Sequence, residues 1–272
     1  MTAPTLESPT APEEIQYPFI LPTRQKVRAY WWKGKGLPNW GDGLTPFLLS
    51  RFAHVEAVWT ERGTAEVVVV GSILGHIMGP WYKGAILGAG KLFQEQVIPP
   101  HAAILALRGP LSAKGVHGTF ALGDPGLLAD ELVRIETKKY DLCIVPHWSD
   151  QTLAHDARFT QYDHIVVDSS WDPLRIVRTM AESRKVVSSS LHGLIVADAL
   201  AIPRRFETSA NWHSEGGCFK VRDHNAAVGL PFEVGKLQEA DANRVVDLKT
   251  NLKDAFKEFS HDVTAGKFQE TS

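Results

Sequence analysis

Lys185-Val186-Val187-Ser188-Ser189-Ser190-Leu191-His192-Gly193-Leu194-Ile195-Val196-Ala197-Asp198-Ala199 is the stretch that decides the fold class of this chain. A short apolar run of strand character meets three serines, a histidine and a glycine, and then an amphipathic helix. A strand that turns straight into a helix is the repeating unit of an α/β protein. The serine hydroxyls and the unpaired amides of the first helical turn predict a donor-rich cradle for an anion. His192 stands at the lip of that cradle, where an imidazole can move a proton or hold an oxyanion. The same residues also read as a serine cap followed by a histidine that fills a turn.

Outward from this unit, apolar runs alternate with helix-like stretches along the whole chain. Strands are predicted at 27–32, 66–70, 85–87, 103–107, 120–122, 141–145, 164–167 and 185–187. Helices are predicted at 44–52, 111–114, 152–161, 174–183 and 191–200. Such alternation indicates parallel sheets covered on both faces. The pattern changes character near Asp124-Pro125 and again at 136–139, where Lys138-Lys139 precedes a fresh strand–helix series. The predicted organisation is a disordered lead-in over 1–24, Rossmann-like domains over 25–137 and 138–236, and a final helix over 237–262. In that last segment Val245, Val246, Leu248, Leu252, Ala255, Phe256 and Phe259 share one helix face, suited to packing back on the first half.

Composition excludes several classes of function. The 272 residues include 44% hydrophobic and 22% charged residues, normal for a soluble protein with a substantial core. Lys+Arg 29 against Asp+Glu 31 leaves a formal charge of −2, with no basic tail, which argues against a nucleic-acid surface. An anionic ligand must therefore meet local, placed donors. Two cysteines, Cys143 and Cys218, do not make a disulfide scaffold and point to a reducing compartment. No Cys/His spacing resembles a zinc site. The first 22 residues lack the basic start and apolar core of a signal peptide. The most hydrophobic segment, 67–78, is broken by Gly71, Gly75 and His76 and is too short to span a bilayer. A cytoplasmic protein, at most working at the inner face of a membrane, is expected.

Ligands of open α/β sheets bind beyond the carboxyl ends of the strands, and the chemically able residues fall there. After the first strand, Pro38-Asn39-Trp40-Gly41-Asp42-Gly43 offers Asn39 and Asp42 as helix caps or as ligands of a hydroxyl. Arg108 closes the apolar run 102–107, where its guanidinium needs either an anionic ligand or a structural ion pair. His147 follows the run 141–145. No G-x-x-x-x-G-K-[ST] loop or G-x-S-x-G elbow is present, and Gly34-Lys35-Gly36 is only a fragment of a dinucleotide fingerprint.

Taken in order, these blocks resemble the polysaccharide pyruvyl transferase family, in particular its short bacterial exopolysaccharide ketal-forming members. The residues that carry the resemblance are Asn39-Trp40-Gly41-Asp42, Leu87-Gly88-Ala89-Gly90, Arg108-Gly109-Pro110-Leu111-Ser112, Gly123-Asp124-Pro125 and Pro146-His147. They continue with Ser190-Leu191-His192-Gly193-Leu194-Ile195-Val196-Ala197-Asp198-Ala199 and Phe219-Lys220-Val221-Arg222-Asp223. The turn Gly71-Ser72-Ile73-Leu74 departs from the family, whose members often carry more consecutive glycines there.

The resemblance implies two Rossmann-like domains facing across a cleft, similar to GT-B glycosyltransferases. It implies phosphoenolpyruvate as donor, a sugar or lipid-linked oligosaccharide as acceptor, and no cofactor or metal. The product would be a cyclic pyruvate ketal plus phosphate. His192 is then the expected acid/base or phosphate-holding group, with Asp42 orienting or deprotonating the acceptor. Arg108, Ser189, Ser190, Leu191, Asn39 and His147 are the expected binding residues. A sugar-nucleotide glycosyltransferase is the competing reading. A glycan-binding protein using Trp148, Trp171 and Trp212 is a third.

Overall fold

Two sheets account for all eleven strands of the described residues. The structure, a computed structural model, describes residues 25–34, 38–134, 137–209 and 218–268. The expected lead-in over 1–24 lies outside them, as do Trp212 and part of the glycine turn at 34–36.

The first sheet contains β1 (Lys26–Tyr30), β2 (Glu56–Trp59), β3 (Val67–Val68), β4 (Ala85–Leu87), β5 (Ala103–Leu107) and β6 (Ala121–Leu122). Its order is β2-β1-β3-β4-β5-β6, and every pairing is parallel. Alternate residues feed opposite faces. Ala29, Val67 and Ala85 are in register and join one apolar cluster, while their neighbours Tyr30, Val68 and Ile86 join another. Burial on both faces is why these strands read as continuous apolar runs.

The second sheet holds β7 (Leu142–Val145), β8 (His164–Val166), β9 (Val186–Ser188), β10 (Arg204–Phe206) and β11 (Leu237–Gln238). Its order is β11-β10-β9-β7-β8, with only the β10–β11 pair antiparallel. The chain is therefore mixed α/β, with a parallel six-stranded sheet and a second sheet of five strands.

The helices are α1 (Thr45–Leu48), α2 (Pro173–Ala181), α3 (Leu191–Ala199), α4 (Phe219–Ala227) and α5 (Ala242–Thr264). Asp172 and Asp241 start α2 and α5 by accepting from two first-turn amides each. Along α5, Val245, Leu248, Leu252, Ala255, Phe256, Phe259 and Val263 are buried at helical spacing. This face packs on β4, β5, β6 and the π-turn Leu49–Ala53, with Phe256 against Phe52 at 5.7 Å. One apolar cluster runs without a break from the first sheet through the 3-10 segment Pro125–Leu132 and α3 to the second sheet. Among the described residues no helix is long and apolar enough to cross a membrane.

Several local expectations are corrected. Residues 237–238, expected within the last helix, form β11, and the Asp241 cap delays the helix to Ala242. Residues 111–114 are a turn, because the amides of Leu111 and Ser112 donate to Asp223 instead of entering a helix. The segment 152–161 breaks into 3-10 pieces, Gln151–His155 and Ala157–Phe159, where Asp156 accepts from the Arg158 amide. The stretch 44–52 is a composite of 3-10, α and π turns. Finally, α3 is buried on every side rather than amphipathic, because the 3-10 segment and α2 cover the face turned from the sheet.

Candidate active site

Strand order locates the site before any side chain is considered. Each sheet runs outward on one side of its first strand and back on the other: β2-β1-β3 in one, β8-β7-β9 in the other. Adjacent connections then diverge and leave a crevice at the carboxyl ends of β1/β3 and β7/β9. Both crevices open into one cavity of about 640 Å³. Its wall includes Tyr30, Trp32 and Ser72 from the first sheet's strand ends, with Asn39, Trp40 and Asp42 from the following turn. Pro146, His147, Trp148, Ser190, Leu191 and His192 come from the second sheet, and Lys220 from α4.

Asp42 sits in the 3-10 turn Asp42–Leu44 and is buried. Burial pushes its carboxyl up to about 7, although the Asn39 side chain and the Trp32 amide both donate to it. His192, one residue into α3, is 7% exposed and places Nδ1 3.9 Å from Asp42 Oδ1. That separation exceeds a hydrogen bond. Burial, then the positive charge of Lys220, brings the imidazole down to about 3, so it is neutral at pH 7. Its Nε2 has no hydrogen-bond partner among the described residues. The residue borders the cavity, while this unpartnered nitrogen is itself buried. Close packing fixes the pair. A side chain at Gly41 would overlap the His192 ring, and Gly71, at φ 120°, passes where any Cβ would strike the Asp42 carboxyl.

The serine cradle is smaller than the sequence predicts. Ser188 Oγ donates to the Val145 carbonyl and accepts from the Ser190 amide. Ser189 is buried away from the cavity, and its Oγ accepts from the His147 amide at 2.9 Å. Only Ser190 reaches the wall, and its side chain makes no cap bond to α3. His147 lines the wall, its Nδ1 2.8 Å from Ser149 Oγ, and burial holds its ring down to about 3.

Arg108 is not on the wall. It is fully buried, with Nε donating to Asp223 Oδ2 at 2.9 Å, Nη1 to Ser72 Oγ at 2.6 Å and Nη2 to the Lys91 carbonyl at 2.5 Å. The structure thus holds the ion pair that the sequence allowed, with Asp223 meeting the charge, and places the expected ligand clamp behind the cavity lining. The guanidinium still shapes the site through Ser72, which lines the cavity.

The structure therefore brings together His192, Asp42, Asn39, His147, Ser190 and Leu191, and sets Ser189 and Arg108 behind the wall. Sequence reasoning missed Lys220 as a site residue. Its signal was present in the Phe219–Asp223 block, but α4 itself was not predicted. Ser72, Tyr30 and Trp32 were also missed, each standing just past or at the end of a strand.

No family model matches the chain. It is 28% identical over 179 residues to uncharacterized protein L143 of Acanthamoeba polyphaga mimivirus, covering 61% of this chain and 62% of that one. It is 28% identical over 224 residues to the succinoglycan biosynthesis protein ExoV of Rhizobium meliloti (strain 1021), covering 76% of this chain and 66% of that protein. The match thus spans just under two thirds of either relative's length. A solved structure of a functionally uncharacterized Klebsiella pneumoniae protein covers 72% of this chain and 87% of its own at 12% identity, with a TM-score of 0.42.

Proposed function

We propose that this chain is a pyruvyl transferase of polysaccharide biosynthesis, forming a cyclic ketal from phosphoenolpyruvate and two hydroxyls of a sugar. In this reading the sheets are two Rossmann-like units facing across the cavity, an arrangement similar to GT-B glycosyltransferases. The observation that carries it is the meeting of Asp42, His192 and Lys220 in one cavity where the crevices of both sheets converge. The resemblance of the motif blocks and the distant likeness to a succinoglycan biosynthesis protein add support.

The chemistry asks for an anion site and a proton carrier beside it. Lys220, Ser190 and the first-turn amides of α3 supply the anion site for the donor phosphate. Asp42, with its carboxyl at about 7, is near half protonated at neutral pH and suits proton transfer. The donor methylene gains a proton, which makes the adjacent carbon electrophilic, and one sugar hydroxyl attacks it. Phosphate leaves and the second hydroxyl closes the ring. Of the two hydroxyl protons, one ends in the new methyl group and the other leaves with phosphate. His192, whose ring burial keeps neutral, gains basicity when the dianionic phosphate binds beside it, so donor binding loads a proton there. The scheme calls for no metal.

Phosphoenolpyruvate should raise the melting temperature, by an amount equivalent to about 2.7 kcal/mol at 100-fold over its dissociation constant. It should also release phosphate when a sugar acceptor is supplied. A thermal shift with a sugar nucleotide and none with phosphoenolpyruvate would overturn the reading in favour of glycosyl transfer.

A further inference from the structure

Two tryptophans reach the cavity from the two sheets. Trp32 follows β1 and Trp148 follows β7, with ring centroids 6.0 Å apart and planes at 58°. Both are half-buried, and Trp148 belongs to none of the apolar clusters of the described residues. A ring this large normally contributes to a core. Here its remaining surface lies on a cavity wall, beside His147 at 5.5 Å. The same wall carries Glu61 and Arg62, both exposed, whose side chains have no hydrogen bond or ion pair among the described residues. Tyr30 lies between them and Asp42 in charge terms: burial raises its phenol above the usual value, and the charges of Asp42, Arg62 and Glu61 all reach it.

Two aromatic rings, a carboxylate and a guanidinium lining one cavity suit a ligand with an apolar face ringed by hydroxyls. A pyranose ring has that shape. Its axial C–H bonds carry partial positive charge and pack on the negative face of an indole. Glu61 can accept from ring hydroxyls and Arg62 can donate to them. The cavity volume exceeds what a three-carbon phosphate ester fills, which leaves room for a sugar ring. We propose that Trp148 and Trp32, with Glu61 and Arg62, form the acceptor subsite and hold one hexopyranose ring with its hydroxyls toward Asp42. This rests on the pyruvyl transferase reading for its role, but not for its ligand class.

The test uses saturation-transfer NMR of the full chain with methyl β-D-galactopyranoside, methyl β-D-glucopyranoside, methyl α-D-mannopyranoside and uridine diphosphate. The variants are Trp148→Ala and Trp148→Phe, with folding checked by circular dichroism. At least one methyl glycoside should bind, Trp148→Ala should weaken it about ten-fold, and Trp148→Phe should recover most of the loss. In steady-state kinetics the acceptor KM should rise in Trp148→Ala while the phosphoenolpyruvate KM stays put. No glycoside binding, binding unaffected in Trp148→Ala, or binding of uridine diphosphate alone would overturn the subsite. Glycoside binding that depends on Trp148, with no phosphate released from phosphoenolpyruvate, would uphold the subsite and sink the transferase reading. Turnover with an unchanged acceptor KM in Trp148→Ala would do the reverse.

Discussion

Replacing Asp42 by asparagine should stabilise the protein at pH 8 and, on the proposed mechanism, abolish proton transfer by this side chain. The carboxyl is 3% exposed, and burial lifts it from 3.8 to about 7. Raising an acid's pKa by one costs its ionised form about 1.36 kcal/mol, so ionised Asp42 carries a penalty of about 4 kcal/mol in the folded protein relative to the unfolded chain. The sign follows from proton counting. Between pH 4 and 7 the folded state holds a proton on Asp42 that the unfolded state has lost. Stability from this group therefore falls as pH rises through that window and levels off above it. Asparagine has no such slope, and its amide oxygen still accepts from Asn39 or the Trp32 amide, at a cost of about 1 kcal/mol for the lost acceptor. Denaturant unfolding of both proteins at pH 4.5, 6 and 8 measures the difference directly. The variant should gain about 3–4 kcal/mol on the wild type between pH 4.5 and 8. A difference that does not change with pH would show that Asp42 titrates as an ordinary carboxylate, and would refute its role as the near-neutral proton carrier.

The other outcomes concern residues on and behind the wall. On the proposed function, His192→Ala should cut single-turnover ketal formation by about 10²–10⁴-fold, whereas His192→Gln should keep phosphoenolpyruvate binding without recovering rate. Near-normal turnover in the glutamine variant would leave His192 as a phosphate-holding donor only. Arg108→Ala should cost about 3–5 kcal/mol in denaturant unfolding, because it strands the buried Asp223 carboxylate. Unchanged stability with a lost phosphoenolpyruvate thermal shift would return Arg108 to the ligand.

Parallel strands buried on both faces announce themselves as apolar runs, which is why β4, β5 and β7 were legible in the sequence. The edge strand β2 was not, since Glu56 and Trp59 sit among mixed residues with little burial. Nor was β10, whose buried Arg204 reads as surface until Asp198, Asn225 and Gln238 converge on it from 6, 21 and 34 residues away. The site divides along the same line. Asn39, Asp42, His147, Ser190 and His192 stand at strand ends, and local pattern alone puts them there. Whether each faces the cavity is set by through-space pairing. Arg108 and Ser189 stand at strand ends as well, yet Asp223, 115 residues on, takes the guanidinium of one, and the His147 amide engages the hydroxyl of the other. The sequence by itself determined an α/β chain with its polar groups beyond its strands. Only the tertiary structure decided which of those groups remain open to a ligand, because a buried charge or hydroxyl is claimed by the nearest partner in space, and chain order does not reveal that partner.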